Sequence, residues 1–323
     1  MRIGIITPAR ARSRHGNRVT ALRWQNILRE LGHQVTIAQS YQGGRYDLLI
    51  ALHARRSHSS IRRFHAENAR APLIVALTGT DLYHDLGHSR RAQESLELAT
   101  GLIVLQPKAL QELRPQLRRK TRVIFQSVAM NSVARRDGVQ PSHARHAFDV
   151  CVAGHLRSVK DPFRAALAAR LLPQASRVRI LHVGGAMTQA FAARARAEMK
   201  VNPRYRWLGE VSRERVFQLL RRCKLFVLSS RLEGGANALG EAIAAGIPIL
   251  ASRIPGNVGI LGKNYPGFFN VGDTKGLAKL LSRAETDSTF RDELKTRCRK
   301  LAFLFNPSRE KAAWAKLLAD LAR

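Results

Sequence analysis

Short apolar runs recur through the first 127 residues, separated by stretches whose apolar positions fall at helical spacing. The runs lie at 3–7, 34–38, 48–52, 73–77, 102–105 and 123–125. Runs of a few residues suit strands buried on both faces of a sheet. Helical periodicity covers 17–31, 58–69, 89–98 and 107–113. This alternation predicts a doubly wound parallel sheet, whose ligands sit at the carboxyl ends of the strands.

The pattern lapses over 128–147, where Arg135-Arg136-Asp137-Gly138 and Pro141-Ser142-His143 mark a polar interdomain linker. It resumes with a strand at 148–153 that stops at Gly154, a helix running to Leu172, and a strand at 178–183 that stops at Gly184-Gly185. A short strand and turn at 206–210 come next, then a helix over 212–223 capped by Ser212. A short strand at 267–270 and two helices, broken at Pro307, close the chain. No internal repeat is visible. The 323 residues suit two α/β domains, residues 1–140 and residues 141–323, with the last helices (about 303–323) packing back on the first.

Residues 225–252 carry the densest chemistry. A buried-strand run, Leu225-Phe-Val-Leu228, leads into Glu233-Gly-Gly-Ala-Asn-Ala-Leu-Gly-Glu241. Gly234 and Gly235 let the backbone approach a ligand with no Cβ in the way. Asn237 caps a helix that Gly246 and Pro248 end, and a second buried strand follows over 247–251. A glycine loop at a helix N-terminus favours an anion. The flanking carboxylates, Glu233 and Glu241, accept hydrogen bonds from sugar hydroxyls. Arg157 and Lys160, just past a strand end, could meet a leaving diphosphate.

Four loops at strand ends of the first half are also polar. The first spans 8–18 with Arg10, Arg12, Gly16, Asn17 and Arg18, and continues into Thr20, Arg23 and Trp24. The others are His53-Ala-Arg55-Arg56-Ser57, Thr78-Gly79-Thr80-Asp81-Leu-Tyr83 and Gln126-Ser127. Gly16-Asn17 presents N–H groups at a helix start, a second seat for an anion. His53 and Asp81 are candidates to handle a proton.

Charge adds one constraint. The net charge is +32, spread evenly: 24 Lys+Arg against 10 Asp+Glu in residues 1–150, and 31 against 13 in residues 151–323. A basic tail is excluded. The excess suits anionic substrates or simply a solvated basic surface. Aromatic residues make up 6% and do not interleave with the arginines, so no nucleic-acid platform is read. No apolar run reaches membrane-spanning length, and the N-terminal run is too short for a signal peptide. Cys151, Cys223 and Cys298 follow no zinc spacing and read as buried thiols of a cytoplasmic protein. No carboxylate or histidine cluster marks a metal site, and no cofactor is expected.

The stretch from Glu233 to Pro248 resembles the Glu-x7-Glu signature of family 4 glycosyltransferases, which have the GT-B fold of two Rossmann-like doubly wound domains facing a cleft. The resemblance implies a UDP-sugar donor held by Gly154, His155, Arg157, Lys160, Arg206, Leu208, Glu233, Gly234, Gly235, Ala236, Asn237, Ala238 and Glu241. The residue matching Glu233 binds donor-sugar hydroxyls, the one matching Glu241 binds the ribose, and the segment matching 206–210 holds the base. In the family a strand-end Gly-Arg is followed by Lys six residues after the Gly. Here His155 follows Gly154, Lys160 keeps the spacing, and an arginine appears at Arg157. Lys160, Arg157, Glu233 and His53 are the expected catalytic set.

The first-half loops, with Val159-Lys160-Asp161-Pro162, resemble the selenosugar synthase subgroup of selenoneine biosynthesis. That implies transfer of N-acetylglucosamine from its UDP-sugar to selenophosphate. Gly16, Asn17, Arg18, Thr20, Arg23, His53, Arg55, Thr80 and Asp81 would hold this acceptor. A family 4 enzyme with a lipid or small-alcohol acceptor, and a non-catalytic anion or nucleic-acid binder, are the competing readings.

Overall fold

The computed structural model describes residues 1–11, 13, 16–129 and 147–321. They fall into two compact units: the first is Met1–Ser127, Glu233–Asn237 and Leu304–Arg323, the second Val128–Leu232 and Ala238–Phe303. The expected linker at 128–147 and the domain boundary at 140 lie almost wholly outside the described residues.

The first unit starts β1 (Arg2–Ile6), α1 (Gly16–Glu30), β2 (Gln34–Ala38), β3 (Leu48–Leu52), α2 (His58–Glu67) and β4 (Leu73–Leu77). One turn of π-helix, Asp81–Asp85, leads to α3 (Arg90–Leu98) and β5 (Gly101–Val104). A 3-10 segment, Pro107–Glu112, precedes α4 (Pro115–Arg119) and β6 (Thr121–Val123). The strands form one parallel sheet in the order β2-β1-β3-β4-β5-β6. Every residue of β3 and β4 is buried, as their unbroken apolar runs predict. Side chains alternate between faces: Leu49 and Ala51 join one core layer, Leu48, Ile50 and Leu52 the other. Two expectations shift. The strand placed at 123–125 lies two residues earlier, and the helix placed at 107–113 is a 3-10 segment started by Pro107.

The second unit runs β7 (Phe148–Ala153), α5 (Arg164–Arg170), β8 (Val178–Val183), α6 (Gln189–Val201), β9 (Tyr205–Trp207), α7 (Arg213–Arg222) and β10 (Leu225–Leu228). Then come α8 (Asn237–Ala245), β11 (Ile249–Ser252), α9 (Pro255–Leu261), β12 (Phe268–Phe269), α10 (Thr274–Thr286) and α11 (Ser288–Leu301). Its sheet has the order β12-β11-β10-β7-β8-β9, again parallel. Numbered from β7, that is strand order 6-5-4-1-2-3, the dinucleotide-fold arrangement whose switch point lies between the first and fourth strands.

The last helix, α12 (Pro307–Leu321), belongs to the first unit. Its Trp314 meets Trp24 edge-on, with centroids 4.9 Å apart. Its Glu310, only 1% exposed, accepts the Trp24 indole N–H at 2.8 Å and the Ser127 backbone N–H at 2.6 Å. A buried carboxylate is tolerated here because both its oxygens have donors.

Candidate active site

In the second unit the switch point falls where β7 and β10 pair side by side, the position at which sheets of this kind bind their ligands. Gly154 and His155 leave β7, and the chain turns at Ser158–Lys160. Asp161 then takes φ +43, a left-handed conformation unusual for a non-glycine residue. Ser229, just after β10, ties that turn down: its hydroxyl lies 3.2 Å from the Lys160 carbonyl and 2.9 Å from that of Asp161. The Arg231 N–H donates to the Val159 carbonyl at 2.8 Å. The turn carrying Arg157 and Lys160 is thus fixed to the neighbouring strand end. A Cβ on Gly154 would lie 3.9 Å from Lys160 Cδ, so the lysine stem runs over Gly154. Arg157 is exposed and Lys160 half-buried.

The next strand ends are laced to the same edge. Leu156 N–H bonds the Gly185 carbonyl at 2.9 Å, and Trp207 Nε1–H the Gly184 carbonyl at 2.8 Å. Gly184 takes φ +143, and a Cβ there would fall 2.0 Å from the Gly154 carbonyl oxygen, so only glycine fits. Gly185 lies beneath the His155 ring and the Glu210 carboxylate. Leu208 follows β9 at this edge, whereas Arg206 lies inside β9 and is exposed. On α8, Glu241 is mostly buried and its Oε1 pairs with Arg213 Nε of α7 at 3.3 Å.

His182, in β8, supports this edge from below. It is 1% exposed, and its Nε2 lies 3.1 Å from the Gly154 carbonyl and its Nδ1 3.0 Å from the Tyr205 hydroxyl. A carbonyl only accepts, so Nε2 carries the proton and Nδ1 accepts from Tyr205. Complete burial pushes the imidazole pKa down to about 4, against the opposing pull of the Gly154 carbonyl, so the ring is neutral near pH 7.

In the first unit the strand order changes direction between β1 and β3, and the candidate loops gather at these carboxyl ends and that of β4. His53 closes β3 in the left-handed region, φ +74, and is 3% exposed. Its Nε2 lies 3.0 Å from Thr80 Oγ1. Asp81 is fully buried, and its carboxylate accepts three backbone N–H groups: Thr78 at 2.9 Å, Gly79 at 2.8 Å and Ala54 at 3.0 Å. It therefore pins the β3 and β4 loops together. Asp85 pairs with Arg55 Nε at 2.8 Å and with His84 at 3.2 Å. Burial alone would raise its pKa, but these two partners outweigh burial and hold it below the usual carboxylate range.

The loop Glu233–Asn237, grouped with the first unit, lies against the same edge. A Cβ on Gly234 would sit 2.5 Å from the Thr78 carbonyl, and one on Gly235 2.6 Å from Leu105 Cβ. The two glycines are needed for this contact. Arg23 Nη2 donates to Asn237 Oδ1 at 2.9 Å, and Asn237 opens α8 as its first residue rather than standing before it as a cap. Glu233 is 8% exposed, and Ala236 5%.

The family model described as glycosyl transferases group 1 matches residues 139–301, just over half of the chain. The chain belongs to this family. Among solved structures, HepE of Anabaena in complex with UDP-glucose is similar at 16% identity and TM-score 0.79, over 99% of this chain and 100% of that one. Sucrose-phosphate synthase of Thermosynechococcus elongatus is similar at 17% identity and TM-score 0.77, over 99% and 98%. A glycosyltransferase of Rickettsia africae gives 13% and 0.73, over 100% and 98%. The glycosyltransferase therefore has the GT-B fold, with two Rossmann-like domains.

Within the second unit of the glycosyltransferase, the structure brings together Gly154, His155, Lys160 and Leu208 at the strand ends, with Glu241 on the helix after β10. Within the first it brings together His53, Arg55, Thr80 and Asp81. Thr20 points elsewhere: it is 2% exposed and accepts the Gln126 amide at 2.6 Å, inside the unit. Gly16, Asn17 and Arg18 form the start of α1, while Arg12 and His15 lie outside the described residues. Sequence reasoning missed His182, Ser229, Arg213 and Asp85. For Asp85 the Asp-x3-Asp spacing after a strand was a usable signal. A histidine inside an apolar strand was the signal for His182. Arg213 stands among many surface arginines and had none. Among the described residues, no group of three His, Cys, Asp or Glu is placed to hold a metal ion, and no helix is long and apolar enough to cross a membrane.

Proposed function

We propose that this glycosyltransferase takes a UDP-sugar, with N-acetylglucosamine as the sugar, and transfers the glycosyl group to selenophosphate. The bond from the anomeric carbon to UDP oxygen breaks, a carbon–selenium bond forms, and UDP leaves. Hydrolysis of the selenium–phosphorus bond then gives phosphate and the 1-selenosugar. On the donor side, the reading rests on Lys160 and Arg157 over the switch point, where their charge would stabilise the departing diphosphate. Glu241 is mostly buried on the following helix and is suited to ribose hydroxyls. Similarity to structures holding UDP or UDP-glucose supports a UDP-sugar donor.

One observation carries the acceptor. The titratable groups buried at the ends of β3 and β4 already have partners: Asp81 accepts three backbone N–H groups, Asp85 is ion-paired with Arg55 and lies 3.9 Å from His53 Nε2, and His53 meets Thr80. An alcohol acceptor is served by a general base. Selenophosphate already carries an anionic nucleophile and needs cations and N–H groups, of which Arg18, Arg23, Arg55, Arg56 and the start of α1 are sources.

A second reading is a hydroxyl acceptor on a small molecule or lipid. Its support is the company the fold keeps: sucrose-phosphate synthase, HepE with UDP and glucose, and TarM with α-GlcNAc-glycerol and UDP. Purified protein incubated with UDP-N-acetylglucosamine and selenophosphate separates the two. Release of UDP with a carbon–selenium product by mass spectrometry is expected. UDP release that needs an alcohol and ignores selenophosphate would establish the second reading instead.

A further inference from the structure

His53 is held in its left-handed conformation by its surroundings. Its N–H donates to the Ala76 carbonyl at 2.9 Å, and its carbonyl accepts the Ser57 N–H at 3.0 Å. Non-glycine residues kept in this region cluster at functional sites, where the fold over-determines them. The ring orientation follows from the same constraint. The Arg56 backbone N–H approaches Nδ1 at 3.4 Å, and Asp81 Oδ2 stands 4.0 Å from it, too far to draw a proton there. Nδ1 is therefore the bare nitrogen, and Nε2–H is the donor to Thr80 Oγ1.

A hydroxyl has one proton and two acceptor positions. The imidazole fills one acceptor position of Thr80, which leaves the proton to be donated. Among the described residues it has no acceptor, and Thr80 makes no capping bond to the π-helical turn that it begins. The side chain is half-buried at the strand edge where the acceptor loops meet.

We propose that Thr80 is an oriented hydrogen-bond donor for a phosphate-type oxygen of the acceptor, and that His53 is the positioning residue that turns its proton outward. This deepens the acceptor reading given above and rests on it. It also changes the part of His53 in that reading: the ring abstracts no proton, because the nitrogen nearest Thr80 is already protonated. The groups facing His53 agree. From its own loop come the cations Arg55 and Arg56; from the turn after β4 come Asp81, engaged by backbone N–H groups, and Asp85, engaged by Arg55 and His84. Burial is the largest influence on the ring and keeps its pKa below the ordinary histidine value.

Two measurements test the proposal. The first is steady-state UDP release with selenophosphate. Thr80→Val should raise the acceptor KM about tenfold or more, as expected for a lost bond to a charged group, while the donor KM moves far less. Thr80→Ser should restore it. His53→Gln, which keeps an N–H donor, should stay close to the parent, and His53→Ala should resemble Thr80→Val. The profile of kcat/KM against pH should be the same shape in the parent and in His53→Gln. An acid limb in the parent that His53→Gln abolishes would make His53 a base and overturn the proposal. The second is a phosphorus NMR titration with inorganic phosphate as the probe, on the parent and on Thr80→Val. Phosphate bound by the parent and lost in the variant supports the donor role even if selenophosphate proves not to be the acceptor. Equal binding to both, or binding to neither, overturns it.

Discussion

His182 offers a measurable consequence of burying an imidazole beneath the Gly154 turn. Its pKa falls from 6.5 to about 4 because the ring is wholly removed from water. The unfolded chain accepts a proton that the folded chain refuses. Above the unfolded value nothing is lost, and as pH falls from 6.5 towards 4 the folded state is progressively destabilised. The gap spans about 2.5 pH units, and at about 1.4 kcal/mol per unit the loss reaches about 3–4 kcal/mol. His182→Gln keeps an N–H for the Gly154 carbonyl and an oxygen for the Tyr205 hydroxyl but does not titrate. Urea unfolding of both proteins at about pH 7.5 and about pH 4.5 isolates this group, since all others titrate in both. The parent should lose about 2–3 kcal/mol more than the variant on acidification. Equal losses would refute the buried, neutral imidazole. His182→Leu goes further, leaving the Gly154 carbonyl and Tyr205 hydroxyl unpartnered at about 1–3 kcal/mol each, and should raise the donor KM as the Gly154 turn loosens.

Two further outcomes are expected. Glu233→Ala and Glu241→Ala should each lower kcat/KM for the UDP-sugar by about tenfold to a hundredfold, equivalent to about 1–3 kcal/mol, with little change in acceptor KM; unaltered kinetics would remove that carboxylate from the donor site. Gly234→Ala places a methyl 2.5 Å from the Thr78 carbonyl, so the loop must move; thermal unfolding and activity should both fall, and a variant unchanged in both would contradict the close approach.

The elements of the chain were legible where local pattern alone decides them. Unbroken apolar runs at β3 and β4 required burial on both faces, which only a covered parallel sheet provides. Legibility failed where a face is weakly marked. Helix α6 buries only Ala195 and Glu198 among its residues, so it presents no apolar stripe to read. Residues 121–123 pair at the sheet edge, where β6 has one buried, one exposed and one half-buried position, and the periodicity placed that strand two residues late.

By itself the sequence determined the alternation of strand and helix and the Glu233–Glu241 signature with its glycines, because these are local spacings. Tertiary structure alone decided the two strand orders, and with them which loops share a switch point, because strand pairing joins residues far apart in the chain. It also decided which polar residues remain available. Asp81 and His53 look alike as proton carriers along the chain. Folding surrounds Asp81 with three backbone donors and gives the His53 ring one donor and one hydroxyl, so the first holds loops together and the second is tied to Thr80. A side chain's chemistry is written in its residue type, but its free lone pairs and protons are counted only after its neighbours arrive.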